Sequence, residues 1–297
     1  MKIAAVVLNF RRAGDTIACV ESIRGDAPDV DVIVVDNASG DGSAQRIASA
    51  LPGIELIESK TNLGYAGGNN LGIRAALAGG ADAILVLNND LTIEPGCVAA
   101  LGGALEANPR WGMAAPLSLL AGDGEIVDFF TGEVLLDHAA LRAPGRDEPR
   151  GVRFTEPSET GYVTGSAMLI RREVIERAGL LDERYFLVWE DVEYSLRVRK
   201  AGFALGATPD AIVRHARSAS FGDEASPLQR YFFVRNPYLL IRTHLPPPRR
   251  WLAEARATRR YLAWARKSEP KLRRAITLGM RHGLTGRFGP PPPDLMP

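Results

Sequence analysis

Short apolar runs alternate with amphipathic segments along the first hundred residues. Residues 3–8 and 32–35 are continuous apolar stretches bounded by polar residues, a pattern typical of strands buried on both faces of a parallel sheet. The same patterns predict further strands at 54–57 and 83–87, and helices at 16–24, 43–51, 70–77 and 95–106. Strands and helices that alternate through short connections predict a doubly wound α/β sheet with right-handed crossovers.

The alternation ends near residue 115. Residues 116–160 are rich in glycine, proline, aspartate and arginine, so we expect an irregular excursion there, with room for a hairpin. Regular structure is expected to return with a strand at 162–170, followed by helices at 172–177 and 191–200.

Three consecutive prolines at 246–248 divide the chain, because they cannot continue a helix. We place one α/β domain at residues 1–245, with a first half at about 1–115 and a second half at about 160–245. Residues 246–297 are expected to form a basic, amphipathic, helical extension that ends in a disordered proline-rich tail.

Composition excludes several classes of protein. The chain has 297 residues, 46% hydrophobic and 24% charged, with a net charge of +1, as expected for a globular protein. Cys19 and Cys97 are too few for a disulfide framework and suit a reducing compartment. No apolar run reaches the roughly 18 residues of a membrane span, and the first apolar run is too short for a signal peptide. We therefore expect a cytoplasmic protein.

Charge is distributed unevenly. Residues 249–289 contain twelve Lys and Arg residues and two Glu residues, a net charge of +10. The rest of the chain then carries −9, so an acidic body is joined to a basic extension.

An apolar stripe is predicted on the first helix of the extension; it consists of Trp251, Ala255, Thr258, Leu262 and Ala265. The stripe could pack on the acidic body, or residues 249–289 could lie on an anionic membrane surface at the inner face of the cell membrane. Both interpretations remain open. Nucleic acid is not an expected partner, because the aromatic and basic motifs of the known nucleic-acid-binding modules are missing.

Polar side chains follow three of the predicted strands. Asn9 ends the first strand, Asp36 ends the second, and the segment 88–90 (Asn-Asn-Asp) ends the fourth. Ligands of open parallel sheets bind beyond the carboxyl ends of the strands. A carboxylate such as Asp90, flanked by two amides, suits a hard divalent cation that neutralises a diphosphate.

A glycine-rich segment at 62–70 leads into a predicted helix N-terminus, where the backbone could approach an anion. Its candidate contacts are Asn62, Gly67 and Asn70. The dinucleotide fingerprint and the phosphate-loop lysine pattern are both absent from the sequence, so the segment alone identifies no ligand.

Acidic residues cluster at the start of the predicted helix near residue 190. Glu190 and Asp191 follow Trp189 in an aromatic-rich stretch, whose burial would raise the proton affinity of a carboxylate. Gly165 and Ser166 could leave room for a substrate nearby. A carboxylate so placed could accept a proton from an alcohol.

Taken together, these motifs resemble those of the inverting family 2 glycosyltransferases, particularly the bacterial rhamnosyltransferase-like branch, over about residues 2–245. The motifs that carry the resemblance occur in the family's order at 7–10, 34–39, 62–70, 87–90, 165–172 and 189–197. The resemblance implies the GT-A fold, a Rossmann-like and mostly parallel sheet flanked by helices, with a donor half followed by an acceptor half.

The resemblance also implies roles for particular residues. Asp36, with the backbone around Asn9, would contact the nucleotide base, and Asn62, Gly67, Asn70, Asn88 and Asn89 would belong to the donor site. Asp90 would bind Mg²⁺ or Mn²⁺, and His215 could complete the metal site. Asp191 would be the catalytic base and Glu190 its partner, while Gly165, Ser166 and Trp189 would lie on the acceptor side.

The implied reaction is inverting transfer of a sugar, with rhamnose as one candidate, from a dTDP-, UDP- or GDP-linked donor to a glycan or lipid-linked acceptor of cell-surface polysaccharide synthesis. Two departures from the family pattern, Asn88 and Glu193, leave open a non-catalytic subunit that binds sugar nucleotides in an assembly complex. A nucleotidyltransferase is the other alternative, although residues 11–14 are a poor version of its basic, glycine-rich loop.

Overall fold

The computed structural model describes residues 1–122, 124–216 and 226–295. Its strands are β1 (Ile3–Asn9), β2 (Asp31–Asp36), β3 (Glu55–Glu58), β4 (Ala83–Asn88), β5 (Leu91–Ile93), β6 (Trp111–Leu120), β7 (Val127–Phe129), β8 (Glu133–Leu135), β9 (Ala140–Arg142), β10 (Ser158–Glu159), β11 (Ala167–Arg171) and β12 (Ala204–His215). Its α-helices are α1 (Ala13–Asp26), α2 (Ser43–Ala50), α3 (Gly64–Ala78), α4 (Cys97–Ala107), α5 (Arg172–Ala178), α6 (Glu190–Lys200), α7 (Pro227–His244), α8 (Arg249–Lys267) and α9 (Pro270–Thr285).

A single large sheet organises the main domain, and its strands follow the order β10-β12-β6-β11-β4-β1-β2-β3. Strands β4, β1, β2 and β3 are parallel, whereas β11 runs antiparallel between β4 and β6. The register pairs Leu8 with Asn88 and Asn9 with Asp36. The carboxyl ends of β2, β1 and β4 therefore lie side by side, and the expected α/β class with a mostly parallel sheet is confirmed.

Both faces of the sheet are covered, which explains the continuous apolar runs. Within β1, Ala4 and Val6 enter the core on one face, whereas Ala5 and Val7 enter the core on the other. Because alternating side chains are buried on both faces, the strand is apolar from residue 3 to residue 8, and its polar residue, Asn9, stands at its end.

Helix α3 begins at Gly64 and not at the expected residue 70. A Cβ atom at Gly68 would overlap Leu8, and one at Gly72 would overlap Val6. The glycines therefore allow the helix to lie close to the sheet, and this tertiary packing outweighs their low helix propensity.

The expected strand at 162–170 is reduced to β11. The amide of Val163 donates to the Ser195 hydroxyl at 3.0 Å, and the amide of Gly165 donates to Asp191 Oδ2 at 2.8 Å. These backbone groups are paired with side chains of α6, so the strand ladder begins only at Ala167.

The excursion at 116–160 is more regular than its composition suggests. Strand β6 continues through Pro116, which lies where the register with β12 shifts and no ladder N–H is required. Strands β8 and β9 then form the hairpin for which the sequence left room. Strand β12 itself was not predicted, because Pro209 and Asp210 resemble a turn and form its irregularity instead.

The extension packs on α7 through a different stripe from the expected one. Ala253, Ala257, Tyr261 and Ala265 of α8 are buried in a core shared with Tyr238 of α7. Of the predicted stripe, only Ala265 is buried there, and Trp251 and Leu262 are exposed. Within the described ranges, no helix is long and apolar enough to cross a membrane.

The described residues of the proline-rich tail, for which disorder was expected, begin with contacts to the main domain. The amide of Gly289 donates to Arg184 O at 2.8 Å, and its carbonyl accepts from Arg235 Nη1 at 2.6 Å. Residues 296–297 of the predicted tail lie outside the described residues.

Helix α7 holds a strained segment that precedes α6. Phe186, Val188 and Trp189 have left-handed φ angles of +63°, +67° and +76°, conformations that cost free energy for residues with a side chain. The Asn236 side-chain amide donates to the carbonyls of Tyr185, Leu187 and Val188 at 3.0, 2.8 and 2.6 Å.

The neighbouring Arg235 is fully buried and donates to the carbonyls of Arg184 and Tyr185 at 3.1 and 3.0 Å. Burial lowers the pKa of its guanidinium. Backbone carbonyls therefore accept hydrogen bonds from the buried guanidinium in place of a carboxylate. Together, Arg235 and Asn236 hold residues 184–188 in their observed backbone conformation.

We expect Asn236→Ala to lower the free energy of unfolding by about 1–3 kcal/mol, because it leaves the carbonyls of this segment without their donors. Amide hydrogen exchange of residues 184–191 should accelerate, and chemical denaturation would measure the loss of stability. Thr243→Ala, which removes another side-chain hydrogen bond on α7, is the control and should leave that exchange unchanged. Unaltered exchange in Asn236→Ala would contradict this role.

Candidate active site

A cavity of about 280 Å³ lies next to the end of β4. It is lined by residues from β4, β7, β12, α6, α7 and the segments before β11 and α6. Seven of the residues singled out from the sequence line it: Asn88, Gly165, Ser166, Trp189, Glu190, Asp191 and His215. The structure thus brings together residues that are widely separated in the chain.

Asp191 lies in the first turn of α6 and is partly open to the cavity. Its Oδ2 accepts from the amide of Gly165 and its Oδ1 from the amide of Val192, both at 2.8 Å. Burial raises the pKa of Asp191, while these backbone donors oppose the rise. Donors that bind the charged form favour an ionised carboxylate.

Glu190 is in a different environment although it is adjacent. Its side chain is buried, and among the described residues its Oε2 has no hydrogen-bond partner. Burial first, and then the charge of Asp191, raise the pKa of Glu190 well above its usual value. When the pair shares one proton, these environments favour the proton on Glu190 and the negative charge on Asp191.

The wall around this pair is aromatic. The Trp189 ring packs against Phe233 with the centroids 5.8 Å apart. The indole N–H of Trp189 is buried, and within the described part of the chain it has no hydrogen-bond acceptor. Tyr65 donates its hydroxyl hydrogen bond to the carbonyl of Gly165, which joins α3 to this wall.

His215 also lines the cavity, and it contacts Asp90 and Asp128. His215 ends β12, and its Nε2 is 3.4 Å from Asp90 Oδ1. Its Nδ1 is 2.8 Å from Asp128 Oδ2, and Asp128 also lines the cavity. Burial lowers the pKa of His215, but the hydrogen bonds and charges of Asp128 and Asp90 outweigh this and raise it to about 9.

Asp128 was missed in the sequence. It lies on β7, between Val127 and Phe129, inside the segment interpreted as irregular. An acid flanked by apolar residues was the signal that could have identified it, because such an acid is buried and needs a partner.

Asp90 and His215 could hold a divalent cation, since a carboxylate and an imidazole are suitable ligands. Among the described residues, no group of three His, Cys, Asp or Glu side chains could hold a metal ion alone. A cation here would therefore take further ligands from a bound diphosphate and water, as Mg²⁺ commonly does.

A second polar network runs across the ends of β2, β1 and β4. Asp36 Oδ1 accepts from Asn9 Nδ2 at 2.6 Å and from the Ser39 hydroxyl at 2.5 Å. Asn9 Oδ1 accepts from the Thr16 hydroxyl at 2.8 Å, and Asn89 Nδ2 donates to that hydroxyl at 3.0 Å. Asn9 is fully buried, and its side-chain amide fixes the orientation of Asp36 through this hydrogen bond. Asp36 and Asn88 end strands that are two positions apart in the sheet, so their backbones are separated by about 10 Å.

The glycine-rich segment contributes packing contacts. Asn62 Oδ1 accepts from the amide of Gly64 at 2.8 Å and from Asn37 at 3.1 Å. Asn70 is buried, and its amide donates to the Leu181 carbonyl at 2.9 Å. Gly67 is buried inside α3. The structure does not bring these three predicted donor-site residues, Asn62, Gly67 and Asn70, into the lining of the cavity.

Glu193 also lies away from the cavity lining. Its carboxylate accepts from Arg197 Nε at 3.0 Å and from Arg197 Nη2 at 2.8 Å, and His244 Nε2 is 3.5 Å from its Oε1. The departure from the family pattern at this position therefore affects the packing of α6 against α7.

Comparisons with known proteins agree with this architecture. Residues 5–179 match the model of glycosyl transferase family 2, and residues 152–231 match a glycosyltransferase-like family 2 model. The N-acetylglucosaminyl-diphospho-decaprenol L-rhamnosyltransferase of Mycobacterium tuberculosis is 34% identical over 221 residues, 67% of this chain and 71% of that protein. The dTDP-rhamnosyl transferase RfbF of Shigella flexneri is 27% identical over 230 residues, 72% of each chain.

Solved structures are similar in fold at low sequence identity. GalNAc-T7 with UDP, GalNAc and Mn²⁺ superposes with a TM-score of 0.64 and 14% identity over 96% of this chain, which spans 56% of that structure. The Pyrobaculum calidifontis mannosyltransferase PcManGT with GDP-Man and Mn²⁺ superposes with a TM-score of 0.55 and 16% identity, over 95% of this chain and 80% of that one. The chain therefore belongs to glycosyl transferase family 2, and it is a glycosyltransferase with the GT-A fold.

Proposed function

We propose that this glycosyltransferase is metal-dependent and inverting, and that it transfers a sugar, with rhamnose as the first candidate, from a nucleoside diphosphate to an acceptor hydroxyl. One observation carries the proposal. Asp191 and His215 line the same cavity, and His215 Nε2 is 3.4 Å from Asp90 Oδ1.

The mechanism is a single displacement. Asp191 takes the proton of the acceptor hydroxyl as that oxygen forms a bond to the anomeric carbon of the donor. The bond between this carbon and the diphosphate oxygen breaks on the opposite face, and its electron pair leaves with the nucleoside diphosphate. Glu190 lies next to Asp191 in the chain. In its protonated form it adds no second negative charge to the site, and it can donate a hydrogen bond to the acceptor.

Asp90 and His215 are the residues that would hold Mg²⁺ or Mn²⁺. Such a cation would neutralise negative charge on the leaving diphosphate. Asp128 orients His215 by accepting from Nδ1, which directs Nε2 toward Asp90.

The ends of β2, β1 and β4 would hold the donor. Asp36 would contact the nucleotide base, because a carboxylate oxygen can accept from more than one donor and Asn9 fixes its orientation. Asn88 and Asn89, at the end of β4, would lie near the diphosphate of the donor. The candidate donors are dTDP-, UDP- and GDP-linked sugars. Asn62, Gly67 and Asn70 would support this site through the packing of α3.

The acceptor would enter beside the aromatic wall. Gly165, Ser166 and Trp189 line this side, and the indole N–H of Trp189, which has no hydrogen-bond partner among the described residues, could donate to an oxygen of the acceptor. A lipid-linked glycan of cell-surface polysaccharide synthesis is the candidate class, and N-acetylglucosamine on an isoprenoid diphosphate is the first candidate, by analogy with the mycobacterial relative.

The alternatives receive less support. A non-catalytic subunit would not need an ionised, oriented Asp191 beside the cavity, and Glu193 is bound to Arg197 away from it. Family membership and the poor basic loop at 11–14 both argue against a nucleotidyltransferase.

We also propose that α8 attaches the enzyme to an anionic membrane surface. Trp251, Leu252 and Leu262 are 58%, 56% and 45% exposed, and they face away from the stripe that packs on α7. Exposed arginines of the same helix, such as Arg259 and Arg266, surround them. Apolar side chains among basic ones are typical of helices that lie in the membrane interface.

We expect Asp191→Asn to lower kcat by about two to four orders of magnitude, because the acceptor proton loses its base. Activity of the unmodified enzyme should fall as the pH drops through the raised pKa of Asp191. Glu190→Gln is the matched variant, and it should keep most activity and the same acid limb because glutamine resembles the protonated acid. An inactive Glu190→Gln beside an active Asp191→Asn would reverse the two roles.

We expect Mn²⁺ affinity, measured by calorimetry in the presence of nucleoside diphosphate, to rise with pH. The imidazole of His215 is protonated below about pH 9, so a metal must displace its proton, and affinity should increase by about tenfold per unit between about pH 6 and pH 8. Asp90→Asn should abolish binding, whereas His215→Gln should remove the pH dependence. Equal affinity at all these pH values would exclude His215 as a ligand.

We expect the full chain to co-sediment with phosphatidylglycerol vesicles at low salt and to bind phosphatidylcholine vesicles weakly. Trp251→Ser with Leu262→Ser should remove most of this binding, because both side chains lie on the exposed face of α8. Val152→Ser, at an exposed apolar residue elsewhere, is the control. Vesicle binding that the double variant retains would end the membrane proposal.

A further inference from the structure

An aromatic path connects the acceptor side of the cavity to the extension. The ring of Phe233, which is 40% exposed, lies 5.8 Å from Trp189 and 6.2 Å from Trp264 of α8. Phe233 also lines the cavity beside Glu190 and Asp191. The path therefore leads from the carboxylates to the helix that carries the exposed apolar side chains.

The guanidinium of Arg230 lies at the end of this path that is formed by Trp264. The guanidinium carbon of Arg230 lies 3.9 Å from the centre of the Trp264 ring. Arg230 and Phe233 are three residues apart on α7, so they share one face of that helix. The cation and the cavity are thus joined through one helix face.

Arg230 has no counterion in the described part of the chain. Its Nε is buried and has no hydrogen-bond partner, and burial lowers the pKa of the guanidinium. Arg242 and Arg249 nearby do have counterions: Arg242 binds Glu254 and Arg249 binds Asp137, both at 2.6 Å. A half-buried guanidinium whose Nε–H group has no hydrogen-bond partner can bind an anion.

We infer that Arg230 and Trp264 form a subsite for the diphosphate of the acceptor. The inference rests on the proposed function, because it concerns the acceptor of that reaction. A guanidinium binds phosphate oxygens through paired N–H groups, and stacking on Trp264 fixes its plane. The acceptor sugar would lie against Trp189 and Phe233, with its diphosphate at Arg230 and its lipid toward α8.

The test compares two acceptors that share the sugar. One is N-acetylglucosamine linked through a diphosphate to a short isoprenoid chain, and the other is octyl N-acetylglucosaminide, which has no charge. In Arg230→Gln, KM for the first should rise by about 10- to 100-fold, whereas KM for the second and binding of the nucleoside diphosphate should not change. Arg230→Lys should recover part of the loss.

Arg266→Gln is the matched control on α8. It should weaken binding to phosphatidylglycerol vesicles and leave both KM values unchanged, whereas Arg230→Gln should leave vesicle binding unchanged. This contrast separates the acceptor diphosphate from the headgroups of the membrane. Equal KM changes for both acceptors, a change in neither, or a loss of vesicle binding alone would overturn the inference.

Calorimetry without donor separates this subsite from the transfer reaction. The diphosphate acceptor should bind more tightly than the octyl glycoside, and Arg230→Gln should remove the difference. If that difference depends on Arg230 but no sugar is transferred, the subsite stands and the proposed reaction fails. If sugar is transferred and the two acceptors bind equally, the reaction stands and the subsite is refuted.

Discussion

The hydrogen bonds from Arg235 and Asn236 to the backbone at 184–188 are the constraint on which the active site depends. They hold residues with side chains in left-handed conformations that the chain would otherwise leave. That geometry turns the chain at Trp189 and starts α6 with Glu190 and Asp191 at the cavity. The orientation of the carboxylates is therefore determined by a helix that follows them by more than thirty residues.

Electrostatics then distinguishes two adjacent acids. Glu190 is buried without a described partner for Oε2, whereas Asp191 accepts from two backbone amides. Desolvation therefore has different results, since backbone donors to both carboxylate oxygens stabilise the negative charge of Asp191, whereas burial outweighs the one backbone hydrogen bond that lowers the pKa of Glu190. This asymmetry makes Asp191 the better proton acceptor of the two, and the sequence alone does not reveal it.

The sequence predicted what depends on local periodicity and strand ends. The buried strands, the α/β class and the meeting of Asn88, Asp191 and His215 follow from apolar runs and from motifs in a familiar order. It could not predict contacts that depend on distant partners. The role of Asp128 depends on its contact with His215, and β12 contains a proline that resembles a turn. Gly68 and Gly72 act through close packing of α3 on the sheet.

The shared core of α7, α8 and α9 has a consequence for how such enzymes diversify. Tyr238 and Tyr261 belong to one apolar cluster, and the helix that contributes Tyr238 also contributes the residues that shape the catalytic turn. The extension is consequently no detachable module. A chimaera joined at residues 246–248 would combine α7 of one relative with α8 and α9 of another, and the side chains of their shared core would not match. A junction before α7 would keep the three helices of one relative together.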